Sequence, residues 1–280
     1  MTISLDDLST IHYRVDDPGE HGVAVVTLDR PESRNAQNKR MTYEMNAAFD
    51  DASRRSDVKV IVLRAEGPHF SSGHDLRDRE KFSEFPIITT SAGFGREGQE
   101  GHMAMEEEIY FQMCWRWRNI PKPVLVAAQG KTIAGGLMLL WVADVIIAAD
   151  DAQFSDPVVG MGVNGVEYFG HPWEWGARKA KELLFTGDWV SAEEARALGM
   201  VNHVVPRAEL EQFTMDMAAR IAQQPSFALK LAKESVNQTQ EAQGMYTAMR
   251  SAFSIQHLAH AHNRVRFGIP VDPGPGADRN

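Results

Sequence analysis

The chain has 280 residues, with 29 Lys and Arg against 38 Asp and Glu, for a formal charge of −9. That length suits one large domain or two small ones with a substantial core. An acidic balance on this scale excludes a protein that coats nucleic acid or anionic lipid, because phosphate binding needs a basic face; a local basic pocket stays open. The single cysteine, Cys114, excludes a disulfide framework and a cysteine-rich zinc site, and fits a cytoplasmic location.

In chain order, residues 1–10 carry Asp6 and Asp7 and no leader pattern, so no signal peptide is read. Residues 23–28 (VAVVTL) form a β-branched run, followed by a helical pattern over Lys39–Arg54. Residues 58–63 (VKVIVL), Val124–Ala128 and Val145–Ala149 read as further strands. Their continuous apolar character is that of strands covered on both faces. The stretch 81–101 is glycine-rich with few aliphatics and reads as a long mobile loop. Residues 133–149 are the most apolar of the chain, but Gly135, Gly136 and Asp144 interrupt them well short of a membrane span; a buried helix opening at Gly135 is expected.

Further on, Ser191 to Glu194 (SAEE) is a capping box, residues 201–205 are one last strand, and 207–223, 226–240 and 245–262 read as helices. The result is an α/β core over 1–205, a helical C-terminal section over 206–267, and a Pro/Gly-rich tail over 268–280, frayed or tied down by a neighbour. The helical section is assigned to oligomerisation and to covering the site.

Several constellations fail on context. Gly160, Gly162 and Gly165 match a dinucleotide fingerprint, but only Val158-Val159 precede them as a strand, and Gly170 and Pro172 follow where a helix should start. His257, His260 and His262 have no Asp or Glu nearby in sequence, so no metal site is read there. Glu106, Glu107 and Glu108 read as a solvated stretch near a helix start, with one of the three facing a site as the alternative. Ser71 to Asp75 holds the letters of a hydrolytic triad, but adjacent residues cannot chain their side chains that way. Trp115 and Trp117 stand two apart, so at most one lines a pocket.

Two strand-to-helix turns remain. One is Phe70-Ser-Ser-Gly73-His74-Asp75-Leu76; the other runs from Gly130 to Leu137 through Gly135-Gly136. Glycine there leaves backbone amides uncovered, and a helix opening at Gly135 aims free N–H groups at one point. Two such donors suit an oxyanion hole; tight packing of helix on strand is the alternative.

The sequence resembles the crotonase, or enoyl-CoA hydratase/isomerase, superfamily. The matching stretches are 26–36 (VTLDRPESRNA), 70–76, 121–130 (PKPVLVAAQG), 134–137 (AGGL), Ala143-Asp144, and 184–187 (LFTG) leading into 191–205. The resemblance implies an α/β spiral of repeated strand-strand-helix turns with a helical C-terminal section. It also implies an acyl-CoA substrate, no permanently bound cofactor beyond the coenzyme A of that substrate, and a homo-trimer or dimer of trimers. It places the oxyanion amides on His74 and Gly135, and coenzyme A contacts on Ala36, Ser72, Asp75, Leu76, Gly136 and Val158. Arg34 and Lys39 become phosphate partners.

The chain departs from that pattern where the hydratases carry their two acid/base glutamates. Three residues beyond Gly135 stands Met138, and after Pro157 stands Val158. Neither moves a proton. Some relatives place an aspartate further on; direct counting gives Val166, and a segment about two residues shorter than usual would bring Glu167 to that place. Glu167 is thus either catalytic or a loop residue, with Asp156 the second candidate and His171, Tyr168 and Glu106 to Glu108 more distant ones. The implied function is a hydratase-like lyase. Isomerase or other enolate chemistry is the alternative within the family, and a non-catalytic acyl-CoA-binding protein the alternative outside it.

Overall fold

Strands that are apolar at every position need cover on both faces. The computed structural model, which describes residues 3–16, 21–90, 93 and 95–274, supplies that cover. Strands β1 (Ile11–Asp16) and β2 (Gly22–Leu28) lead into helix α1 (Lys39–Arg54) and β3 (Val58–Ala65). Helix α2 (Gly98–Glu106) continues through a π-helical turn (Glu107–Gln112) into α3 (Met113–Arg118), β4 (Val124–Ala128) and β5 (Lys131–Ile133). There follow α4 (Gly135–Trp141), β6 (Val145–Ala149), β7 (Gln153–Ser155), α5 (His171–Glu174), α6 (Ala177–Thr186), β8 (Val190–Ser191), α7 (Ala192–Leu198) and β9 (His203–Val205). Helices α8 (Leu210–Ala222), α9 (Ser226–Ala242) and α10 (Met245–Phe267) complete the chain.

Six strands form one sheet in the order β1-β2-β3-β4-β6-β9, antiparallel only at the β1 edge; β5, β7 and β8 form a second, smaller sheet. Side chains alternate across the large sheet. Val23, Val25, Val60, Val62, Leu125 and Ile147 meet Leu210, Met217 and Ala218 of α8 on one face. Ala24, Val26, Ile61, Leu63, Val126 and Ile146 point into the larger core with Met41, Phe49, Trp117 and Leu137. Burying each of the larger side chains contributes about 1.5–3 kcal/mol over leaving it exposed. Helix α8 is therefore part of the core, although it lies beyond residue 205.

The Ser191 cap holds, its Oγ accepting from Glu194 N at 3.1 Å. The stretch expected as loop over 81–101 is already helical from Gly98 and carries a 3-10 turn at Phe82–Glu84; residues 91, 92 and 94 lie outside the described residues. In the tail, Asp272 N donates to Met161 O at 2.8 Å, so 268–274 are tied down; the rest of the tail, 275–280, lies outside the described residues. No helix among the described residues is long and apolar enough to cross a membrane.

Candidate active site

Strands β3 and β4 run side by side, Leu63 opposite Val126, and the turns after them stay paired. Phe70 N donates to Gln129 O at 2.9 Å and Ile133 N to Ser71 O at 3.0 Å. Gly73 sits at φ 87, where its lack of a side chain is needed, since a Cβ there would stand 3.1 Å from Gly135 N. Ala134 holds the left-handed region at φ 47, a strained conformation for a residue with a Cβ, directly before α4 opens. Among the described residues, the amides of His74 and Gly135 donate to no protein group. Gly136 behaves differently: a Cβ on it would meet Ser71 O at 2.8 Å, so it serves packing and does not line the cavity.

The His74 ring lies flat on Tyr110 of the π turn, with centroids 3.7 Å apart and planes 8° from parallel. A Cβ on Gly135 would fall against its Cδ2 and Nε2 atoms. Burial lowers the imidazole's pKa to about 4, which leaves it neutral at pH 7. Its Nε2 stands 3.4 Å from Oε2 of Glu167.

Glu167 is 3% exposed. Its Oε1 accepts from Gln256 Nε2 at 3.0 Å, while Oε2 makes no hydrogen bond. Burial, reinforced by the charge of Glu106, holds the carboxyl well above the usual carboxylate range. Both His74 and Glu167 face a cavity of about 160 Å³, whose apolar lining includes Leu76, Ala134, Val158, Met161, Val163 and Val166. Pro270 and Val271 of the tail complete that lining, and His102, Glu106, Gln256 and His260 bring α2 and α10 to it.

The three glutamates expected as a solvated run are drawn inward instead. Glu107 pairs with Arg250, and Glu108 accepts from the amides of Ile88, Thr89 and Thr90 at 2.6, 2.8 and 2.7 Å. Glu106, 6% exposed, stands 2.9 Å from His102 Nε2 through its Oε1. Burial would push its pKa up, but the His102 hydrogen bond and the neighbouring histidines outweigh it and hold the group at about 2. His257 and His260 also point at Glu106, whereas His262 is exposed. The absence of a nearby carboxylate, on which the histidines were set aside, holds in sequence and not in space.

Asp156 is buried but does not line the cavity; its Oδ2 lies 2.7 Å from His171 Nε2 and accepts from Val166 N at 3.2 Å. It holds the segment that carries Glu167 rather than facing a substrate. Met138 is core, its Sδ accepting from Tyr168 N at 3.3 Å, and Tyr168 and His171 are fully buried behind it. Trp117 packs edge-on against Phe49, and neither it nor Trp115 lines the cavity. The Gly160–Gly165 run contains a 3-10 turn at Val158–Met161 with no helix opening after it, so it makes no dinucleotide cradle.

Of the proposed coenzyme contacts, Lys39 is paired within the chain: its Nζ lies 2.9 Å from Asp78 and its side chain is 13% exposed. Arg34 is exposed and forms no ion pair among the described residues. Asp75 pairs with Arg30 at 2.9 Å, and Ala36 is buried, its carbonyl accepting from the same arginine. Ser72 ties its turn to the one after β2, its amide donating to Arg34 O at 2.9 Å and its hydroxyl to Ser33 O at 3.3 Å. Leu76 is exposed at the cavity's edge.

The family model described as enoyl-CoA hydratase/isomerase matches residues 19–269. EchA13 of Mycobacterium tuberculosis is 46% identical over 262 residues, 90% of this chain and 81% of that one. A short-chain-enoyl-CoA hydratase of Clostridium acetobutylicum is 31% identical over 225 residues, 78% of each chain. A crystal structure titled as a probable enoyl-CoA hydratase from Mycobacterium smegmatis superposes with a TM-score of 0.84 at 47% identity, covering 94% of this chain and 99% of that one.

Proposed function

The chain belongs to the enoyl-CoA hydratase/isomerase family, and from that premise we propose that it is a crotonase-fold lyase adding water across a 2-enoyl-CoA thioester. The amides of His74 and Gly135 receive the thioester oxygen, and Glu167 is the proton carrier. The observation that carries this reading is the unpaired Oε2 of a buried Glu167, its pKa raised by burial, in the cavity bordered by His74 and Ala134. Water attacks the β-carbon, and the double-bond electrons pass to the thioester oxygen as an enolate held by the two amides. Glu167 gives its proton to the α-carbon, and the carboxylate so formed takes the proton that the water must lose. One carboxyl in an apolar site thus stands in for the pair that Met138 and Val158 displace.

The same single carboxyl favours a second reading, double-bond isomerisation, in which it takes a proton at one carbon and returns it at another. Product analysis after incubation with a 2-enoyl-CoA and a 3-enoyl-CoA in deuterated water separates the two. Hydration yields a hydroxyacyl thioester with one deuterium at the α-carbon; isomerisation moves the double bond with no gain of oxygen. Tight binding with neither product would make the chain an acyl-CoA binder and overturn both readings.

Phe227, Leu231 and Val236 of α9 and Leu258 and Val265 of α10 are large apolar side chains left exposed on the single chain. They support the proposed trimer or dimer of trimers, which sedimentation of the purified protein tests. A cytoplasmic location is in keeping with the lone, buried Cys114.

A further inference from the structure

His102 and Glu106 are one helical turn apart on α2, which sets both on one face, and α10 brings His260 to them. One ligand atom from each of the three lies within 4.8 Å of the others. Four atoms of the cluster are buried and make no hydrogen bond: Nδ1 of His102, Oε2 of Glu106, and Nε2 of His257 and of His260. Buried polar atoms without partners are rare and point to a missing one.

The tautomers sharpen this. His260 Nδ1 lies 2.6 Å from the Pro270 carbonyl, which only accepts, so Nδ1 carries a proton. Its Nε2 stands 3.6 Å from Oε2 of Glu106 with no hydrogen bond between them. His257 is the opposite case. Gln99 accepts from Arg264 through Oε1, so its amide nitrogen donates to His257 Nδ1 at 2.9 Å and leaves the neutral ring's proton on Nε2, toward Glu106.

We propose that His102, Glu106 and His260 bind a divalent transition-metal ion of the Zn²⁺ class, with His257 Nε2 standing 3.3 Å from the carboxylate. Two imidazoles and one carboxylate form a ligand set of intermediate softness, suited to zinc rather than to magnesium or calcium. A carbonyl fixing the far ring nitrogen of His260 is the support that metal-bound histidines ordinarily have. Tetrahedral bonds of ~2.0–2.2 Å set ligand atoms roughly 3.3 Å apart, so side-chain rotations close the remaining distance. All three residues line the 160 Å³ cavity, so the fourth coordination position opens into it. Use of that position to hold a water or a substrate oxygen rests on the acyl-CoA reading above; the binding of the ion does not.

The test uses the full chain, stripped with a chelator and titrated with Co²⁺ and Zn²⁺ in the absence of substrate. One equivalent of Co²⁺ should develop the visible bands of a four-coordinate site, and Zn²⁺ should displace it. Glu106→Gln and His260→Gln should each weaken Zn²⁺ at least about tenfold, while His262→Gln on the exposed side of the same helix leaves it unchanged. Zn²⁺ should raise the melting temperature of the natural chain and of His262→Gln but not of Glu106→Gln. Absence of Co²⁺ bands in the natural chain overturns the proposal, even where a variant fails to fold. So does Zn²⁺ binding that survives both ligand changes. Glu167→Gln should keep the metal while losing turnover, which separates failure of this inference from failure of the catalytic assignment.

Discussion

The cavity has two walls built on opposite plans. One is backbone: the turns after β3 and β4, tied to each other by main-chain hydrogen bonds and presenting amides beside Gly73 and Gly135. The other is side chain: His102 and Glu106 from α2 with Gln256 and His260 from α10, residues far apart in sequence that meet only through helix packing. A backbone wall keeps its donors whatever side chains surround it and tolerates substitution poorly only at glycine. A side-chain wall keeps its shape on the backbone and changes its chemistry with one residue. Glu167 and His74 stand at the seam, 3.4 Å apart.

The largest effect is expected at the seam. Glu167→Gln keeps the volume and the Gln256 contact but removes the proton, and should lower turnover of an enoyl-CoA by about 10²–10⁴ with little change in coenzyme binding. Steady-state rates beside calorimetry check it. Undiminished turnover would move the acid/base role to the helical wall.

Next comes the backbone wall. Gly135→Pro deletes one donor and should cost about 10²–10³ in rate, roughly 3–4 kcal/mol of transition-state stabilisation. His74→Ala keeps its amide and should cost less than about tenfold. Equal losses in the two variants would make the imidazole itself the reacting group and erase the distinction between the walls.

Stability against pH gives a smaller, separate reading. The His74 ring has a pKa of about 4 in the folded chain and near the ordinary 6.5 when unfolded. Its contribution is therefore complete above pH 6.5 and is lost as pH falls toward 4. Urea unfolding should show the natural chain losing ~2 kcal/mol more than His74→Gln between pH 7.5 and pH 5. No difference between the two would mean that the ring reaches solvent.

The smallest effect concerns the coenzyme. Arg34→Ala removes an exposed, unshared charge and should weaken acyl-CoA binding about two- to fivefold, in line with ~0.5–1 kcal/mol for a surface ion pair. Lys39→Ala should leave binding unchanged and lower the melting temperature, because its partner is Asp78. Calorimetry and thermal melts of both variants decide between them.

Legibility in the sequence follows the same division. The strands β2, β3, β4 and β6 announce themselves because two-sided burial leaves apolar residues at every position, and glycine marks the two turns because only it fits there. Strands β5, β7 and β8, of three, three and two residues, are too short to show a period. Strand β1 is an edge strand whose IHYRVD alternation carries a weaker signal than the continuous apolar runs. Glu106 looks like its two neighbours in sequence; only the π turn and the arrival of α10 distinguish a carboxylate bound by histidines from one that pins a loop. His102 stands just beyond the stretch expected as a loop, and nothing in its local sequence points to His260, 158 residues further on.

The tail has a consequence in time as well as in space. Pro270 and Val271 leave the ribosome after every other residue of the cavity wall, and they reach it only when Asp272 docks on Met161. Because Pro270 and Val271 border the cavity but belong to neither sheet, a change near Pro270 can reshape the chamber without breaking a strand pairing.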